Sequence, residues 1–191
     1  MDQPFACHTV LVTDDDDRAL VERCLRGERS AFEQLVVRYQ KPVFNAALRL
    51  LHSPEDARDV AQTAFLKAYE HLASYDTGFK FYSWLYRIAV NEALDALHAR
   101  KPSEPLDGSE PDETRGPEQV VEGEQIGRAI ESELAQISPD LRSVIVLRHV
   151  LHLSYQDMSD ILVLPEKTVK SRLYSARQLL RERLQRHGLK T

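Results

Sequence analysis

With 191 residues, 42% of them hydrophobic and 29% charged, the chain has room for one medium domain or two small ones, each with a modest core. No apolar run is long enough to span a bilayer, and the start, MDQPFACHTVLVTDDDD, lacks the basic opening and long apolar block of a secretion signal, so a cytoplasmic chain is expected. The net charge of −5 conceals sorting along the chain: residues 1–101 sum to −2, residues 102–125 to −7 and residues 126–191 to +4, with residues 166–191 alone at +6. The middle is therefore repelled by nucleic acid while the tail seeks phosphate, and such a chain is expected to bind bare DNA poorly without a partner. Cys7 and Cys24 have no metal-ligand spacing, and Cys24 falls on an apolar helical stripe as a buried thiol.

No stretch alternates with period two, so the fold class is all-α. After a tail over 1–13, a first helix is predicted over 14–25, with four aspartates at its positive end and Gly27 beyond it. Ser30 is expected to cap a second helix, whose apolar stripe includes Phe32, Leu35, Val36, Tyr39, Val43, Ala47 and Leu50, with a kink at Pro42. At 53–56, SPED combines a cap, a first-turn proline and acids, and opens a third helix running to about 72. A loop over 74–80 leads into a fourth helix over 81–99.

Residues 102–125 hold four prolines, three glycines and eight acids, and read as a flexible acidic linker between a domain at 14–101 and one at 126–191. The second domain begins with a helix over 126–137, then one capped by Ser138 and running to about 150. SYQDMSDILVLPEKTVKSRLYSARQLLRERL, from 154, then reads as a helix-turn-helix. Ser154 and Asp157 start its first helix, Met158, Ile161 and Leu162 form its apolar side, and Thr168 offers a second cap. Val169, Leu173, Ala176, Leu180 and Leu184 repeat every three or four residues. Between them Lys167, Lys170, Ser171, Arg172, Tyr174 and Arg177 are side chains that a major-groove helix presents to phosphates and bases.

Six of the fourteen aromatic residues fall between Tyr75 and Tyr86. Trp84, Leu85, Ile88 and Leu94 are expected to form a buried stripe, whereas Tyr75 and Phe79 lie in a loop, where large aromatics are costly unless covered or used. Flat rings beside Lys80 and Arg87 suit unstacked bases of single-stranded DNA; a small aromatic core closing a bundle is the other reading.

FYSWLYRIAVN, preceded by DARDVAQTAFLKAYEHL and followed by the helix-turn-helix, resembles the extracytoplasmic-function (ECF) sigma factors, and is most similar to the sigma-E/AlgU-like members. The resemblance covers about 18–101 and 126–186. It implies two helical domains, sigma regions 2 and 4, in a transcription initiation factor that binds core RNA polymerase and promoter DNA. It also implies partners: the β′ clamp helices and the β subunit of the polymerase, and an anti-sigma factor, often membrane-anchored. By the same resemblance Asp56, Asp59, Gln62 and Phe65 face the clamp helices. Tyr75, Lys80, Phe81, Tyr82, Trp84 and Asn91 surround the −10 element, with Tyr75 near a flipped base. Lys167, Thr168, Lys170, Ser171, Arg172, Tyr174 and Arg177 meet the −35 element, with Lys170, Ser171 and Tyr174 nearest the bases and Thr168 and Arg177 on phosphates.

The chain departs from the family at Thr63 (commonly glutamate), Val163 (a small or polar turn residue), Lys167 (glycine) and Ser175 (arginine). A β-branched Val163 resists positive φ, so the turn is expected to be built another way. Rival readings fit the sequence less well. A response regulator needs an α/β receiver, and a helical interaction module does not explain the +6 tail. An enzyme needs a phosphate loop, a nucleophile elbow or a third ligand beside His149 and His152, so neither catalytic residues nor a cofactor or metal are expected.

Overall fold

A computed structural model describes residues 14–99 and 122–186, which form helices and short connections with no strand among them. The first bundle contains α1 (Asp14–Leu25), α2 (Arg29–Leu51), α3 (Pro54–Glu70) and α4 (Phe81–Ala99), with a 3₁₀ turn at Leu72–Ser74. Val21, Leu35, Val43, Leu50, Phe81, Leu85 and Val90 make its core. Of the four leading aspartates, Asp17 turns inward, only 1% exposed, and accepts bonds from the Arg38 guanidinium and the Tyr39 hydroxyl. It thereby pins α1 to α2, and burial together with the Asp17 carboxylate drives the Tyr39 phenol well above its ordinary pKa.

Gly27 leaves α1 at φ 97°, a region open to glycine. Ser30 is not the cap of α2. The helix starts at Arg29 with Glu28 in the cap position, and the Glu28 carboxylate accepts from Arg23 Nε at 2.9 Å. The helix continues through Pro42 to Leu51. Ser53 does cap α3, accepting from the Asp56 amide at 3.3 Å with Pro54 in the first turn. α3 stops at Glu70, two residues before the expected end. Leu85 is buried as expected, while Trp84, Ile88 and Leu94 are only half-buried, as is Cys24.

The second bundle contains α5 (Glu122–Ala135), α6 (Pro139–Ile145), a π-helical turn at Val146–Val150, α7 (Tyr155–Leu162) and α8 (Glu166–Arg186). Residues 122–125, assigned to the linker by composition, are helical. The rest of that linker lies outside the described residues. The helix expected to run unbroken to 150 widens after Ile145 into the π turn, closed by Leu151 N donating to Val146 O at 3.2 Å. Ser154 and Asp157 form a reciprocal capping box on α7. Thr168 is not a cap: α8 starts at Glu166, and the Thr168 amide donates to Pro165 O at 2.8 Å from inside the first turn. Ile137, Leu147, Met158, Ile161 and Leu173 fill this core.

Contrary to the sequence expectation, Val163 itself carries the turn between α7 and α8, at φ 52° and ψ 46°. Its side chain is 72% exposed, so no packing opposes that conformation, and Ser159 ties the turn from both sides. Ser159 O accepts from Leu164 N at 3.1 Å, and Ser159 Oγ donates to Leu164 O at 2.5 Å.

The two bundles touch through α4 and α7. Arg142, 5% exposed, donates to Ala135 O at 2.6 Å and Ile137 O at 2.9 Å within its own bundle, and to Leu50 O at the end of α2. Arg49 pairs with Glu131 at 3.1 Å.

Candidate nucleic-acid and protein interfaces

Three faces gather the residues singled out by sequence. The first is an apolar groove of about 670 Å³ between α2 and α3, walled by Val36, Phe44, Phe65, Leu66 and Tyr69 and edged by Gln62. Phe32 braces Tyr69 edge-on at 5.0 Å between ring centroids. Gln62 and Phe65 therefore lie on it, while Asp56 and Asp59 are not among its lining residues. Sequence reasoning missed Leu66 and Tyr69, exposed by 56% and 45%. Both continue the three-and-four spacing from Gln62, a signal that was available.

The second face is the aromatic loop and the start of α4. Tyr75 donates its hydroxyl to Phe79 O, and Asp76 Oδ1 accepts from Gly78 N at 2.8 Å, which shapes the loop. Tyr75 lies 5.3 Å from Trp84 and 5.8 Å from Phe81, ring centroid to centroid. Around Tyr75 and Trp84 a cavity of about 90 Å³ opens, lined also by Phe79, Ser83, Arg87 and Asp160. Phe81 is 1% exposed, so it supports this wall from behind and presents no surface of its own; Asn91 is exposed further along α4. Ser83 Oγ, buried in the wall, has no hydrogen-bond partner among the described residues.

Lys80 and Tyr82 face the second bundle. Tyr82 OH donates to Asp157 Oδ1 at 3.0 Å, and Lys80 Nζ donates to Tyr82 OH at 3.0 Å and to Asp157 Oδ1 at 3.3 Å. Burial alone raises the Asp157 pKa, but bonds from Ser154 and Tyr82 and the charge of Lys80 outweigh it and hold the carboxyl below its ordinary value. The Tyr82 hydroxyl bond raises the Lys80 pKa, and burial, with the Asp157 charge, raises that of Tyr82. With Asp160 at the aromatic cavity, α7 thus brings two acids to the face where sequence places unpaired DNA.

The third face is α8. Lys167, Lys170, Ser171, Tyr174 and Arg177 are exposed along one side, and Thr168 and Arg172 are half-buried. Lys170 pairs with Glu166 one turn earlier, and Ser171 Oγ donates to Thr168 O at 3.0 Å. Arg177 Nε donates to His149 Nε2 at 3.2 Å, which ties the tail of this face to the π turn. A basic face on the second helix of a helix-turn-helix can lie against a duplex, and tilted aromatic rings around a small cavity can hold an unpaired base.

Comparison with known proteins gives two family matches along the chain. Residues 35–102 match the family model for sigma-70 region 2, and residues 127–180 that for sigma-70 region 4. The chain is 34% identical over 187 residues to RNA polymerase sigma-H factor of Pseudomonas aeruginosa, covering 92% of this chain and 97% of the relative. It is 38% identical over 181 residues to ECF RNA polymerase sigma-E factor of Escherichia coli K12, covering 88% and 94%. Among solved structures, CnrH in complex with the cytosolic domain of CnrY superposes with a TM-score of 0.70 at 27% identity, over 90% of this chain and 98% of that one. The chain belongs to the ECF sigma factors, transcription initiation factors of the sigma-70 type that act at promoters through a region 2 and a region 4.

Proposed function

We propose that the groove between α2 and α3 is where core RNA polymerase docks, with Gln62, Phe65, Leu66 and Tyr69 receiving the β′ clamp helices. Two exposed apolar side chains beside an aromatic-floored groove suit a helix laid along it, with Lys41 and Arg58 at its flanks. Asp56 and Asp59 sit towards the start of α3 and act at the rim. Tyr75 and Trp84, with Arg87, hold a base extruded from the −10 element, while Phe81 sets the ring geometry from behind. Lys80, Tyr82 and Asn91 contact the adjoining DNA once α7 moves away. The exposed face of α8 reads the −35 element through Lys170, Ser171 and Tyr174, with Lys167, Thr168, Arg172 and Arg177 on phosphates.

The observation that carries this reading is the separation of the three faces: groove, aromatic cavity and basic helix occupy different surfaces, as one polypeptide gripping an enzyme, a melted strand and a duplex requires. The protein acts in the cytoplasm by binding rather than by chemistry of its own. An anti-sigma partner, membrane-anchored, restrains it. Two solved structures of similar proteins hold a bound partner: CnrH with the cytosolic domain of CnrY, and Bartonella quintana RpoE with the anti-sigma factor NepR.

Run-off transcription with core polymerase on a randomised promoter library tests the proposal. Enrichment of templates sharing two spaced sequence blocks is expected. Initiation that is indifferent to template sequence would contradict it.

A further inference from the structure

The face of α8 does not stand alone, because a ring from α7 lies against it. Tyr155, the first residue of α7, is half-buried with two cations against its ring: Lys170 Nζ lies 5.2 Å from its ring centroid and Arg148 Cζ 5.0 Å. Both distances are within the reach at which a ring's negative face attracts a cation. Arg148 and the backbone that carries the ring are themselves fixed. Arg148 Nη1 donates to Leu153 O at 2.6 Å, locking the π turn to the start of α7. The ring's own backbone is set by the capping box at Ser154 and Asp157. Lys170, by contrast, is a long exposed side chain whose other contact, Glu166, is a one-turn pair on the same helix. Such pairs are worth only a few tenths of a kcal/mol in water and leave the lysine free to swing.

We infer that Tyr155 is a positioning residue for −35 recognition: its ring, steadied by Arg148, holds the Lys170 ammonium in the arrangement from which Lys170 distinguishes bases. Lysine otherwise acts as a mobile point charge that rewards any nearby phosphate, and discrimination between bases requires the ammonium to be confined. The ring confines it with its π face, so the phenolic hydroxyl is dispensable. Arg148 and Lys170, both within about 5 Å of one ring, also keep positive charge at the start of α7.

The inference rests on the reading of Lys170 as a base contact, and the experiment separates the two. Full-length protein is assembled with core polymerase, and promoter preference is measured in one reaction over a library varied in the −35 element. Preference is a ratio between templates, so loss of folded protein lowers all templates together and leaves the ratio unchanged. Lys170→Ala is expected to flatten preference at one or two base pairs. Tyr155→Leu is expected to flatten the same base pairs by about two- to five-fold, the range of an exposed cation–π contact. Tyr155→Phe is expected to keep the original preference, and Tyr155→Leu combined with Lys170→Ala to go no further than Lys170→Ala alone. An additive double variant overturns the positioning role, and so does Tyr155→Phe failing as badly as Tyr155→Leu, which would make the hydroxyl the contact. If Lys170→Ala flattens preference and Tyr155→Leu does not, Tyr155 is excluded while Lys170 stands. If Lys170→Ala changes nothing, both claims fall.

Discussion

Val163 bears the turn of the helix-turn-helix in a left-handed conformation that costs an L-residue about 1–2 kcal/mol, more comfortably met by glycine. Val163→Gly is therefore expected to raise the unfolding free energy of the second bundle by about 1 kcal/mol, read from denaturant midpoints; an unchanged or lower midpoint would remove the strain. Asp17 shows the opposite economy, a charge almost wholly buried and answered by Arg38 and Tyr39. Asp17→Ala leaves that pair of partners without its acceptor and is expected to destabilise the first bundle by about 3 kcal/mol in thermal or denaturant melts. Sequence revealed the caps at Ser53 and Ser154 because their partners lie three residues away. It misplaced those at Ser30 and Thr168 because the start of each helix depends on the path by which the chain arrives: the Arg23–Glu28 pair before α2 and the Pro165 carbonyl before α8. Val163 was misjudged for a related reason, since local preference yields when two helices must pack at a fixed angle around Met158, Ile161 and Val169.

At the scale of elements, helical periodicity disclosed α1, α3, α4, α7 and α8 to within a few residues, but composition hid the start of α5. Periodicity also marks which face of α3 is buried, through Ala57, Val60, Ala61, Ala64 and Ala68. The small residues on that face let α2 approach closely, and the remaining large side chains, Phe65, Leu66 and Tyr69, are left to line the groove. Leu66→Asp puts a charge into that groove without touching the core. It is expected to lower core-polymerase affinity by at least about ten-fold in a binding titration while leaving the melting temperature within a degree or two. Asp59→Ala, outside the groove, is expected to cost much less; the reverse order would move the docking face to the acidic start of α3. What sequence could not show is that α7 meets α4. No local signal ties Asp157 to Lys80 and Tyr82, which are more than seventy residues away.

As a whole, the molecule adopts a closed arrangement in which Asp157 holds Lys80 and Tyr82 and Asp160 edges the aromatic cavity. The Lys80 side chain is 47% exposed, so its ion pair contributes at most about 1 kcal/mol, and the Tyr82 bond to a carboxylate adds a comparable amount. That contact biases the arrangement alongside the packing of α4 on α7, the Arg142 bond to Leu50 O and the Arg49–Glu131 pair. Asp157→Asn is expected to lengthen the mean distance between labels on α2 and α8 at neutral pH, measured by energy transfer. Because the Asp157 pKa is depressed in the closed form, the contact contributes in full above the ordinary carboxylate value of about 4 and is lost as pH falls through the lower closed-form value. The unaltered protein should therefore stay closed at pH 5 and begin to open only under stronger acid, whereas opening between pH 7 and 5 would exclude Asp157 as the group responsible. The central claim is that the first bundle holds separated strands and the second holds the closed duplex. Its most direct test compares Tyr75→Ala and Lys170→Ala holoenzymes on one promoter, scoring duplex protection by footprinting and strand opening by thymine reactivity. Tyr75→Ala is expected to retain upstream protection and lose most opening, and Lys170→Ala to lose upstream protection; equal loss of both signals in both variants would contradict the division.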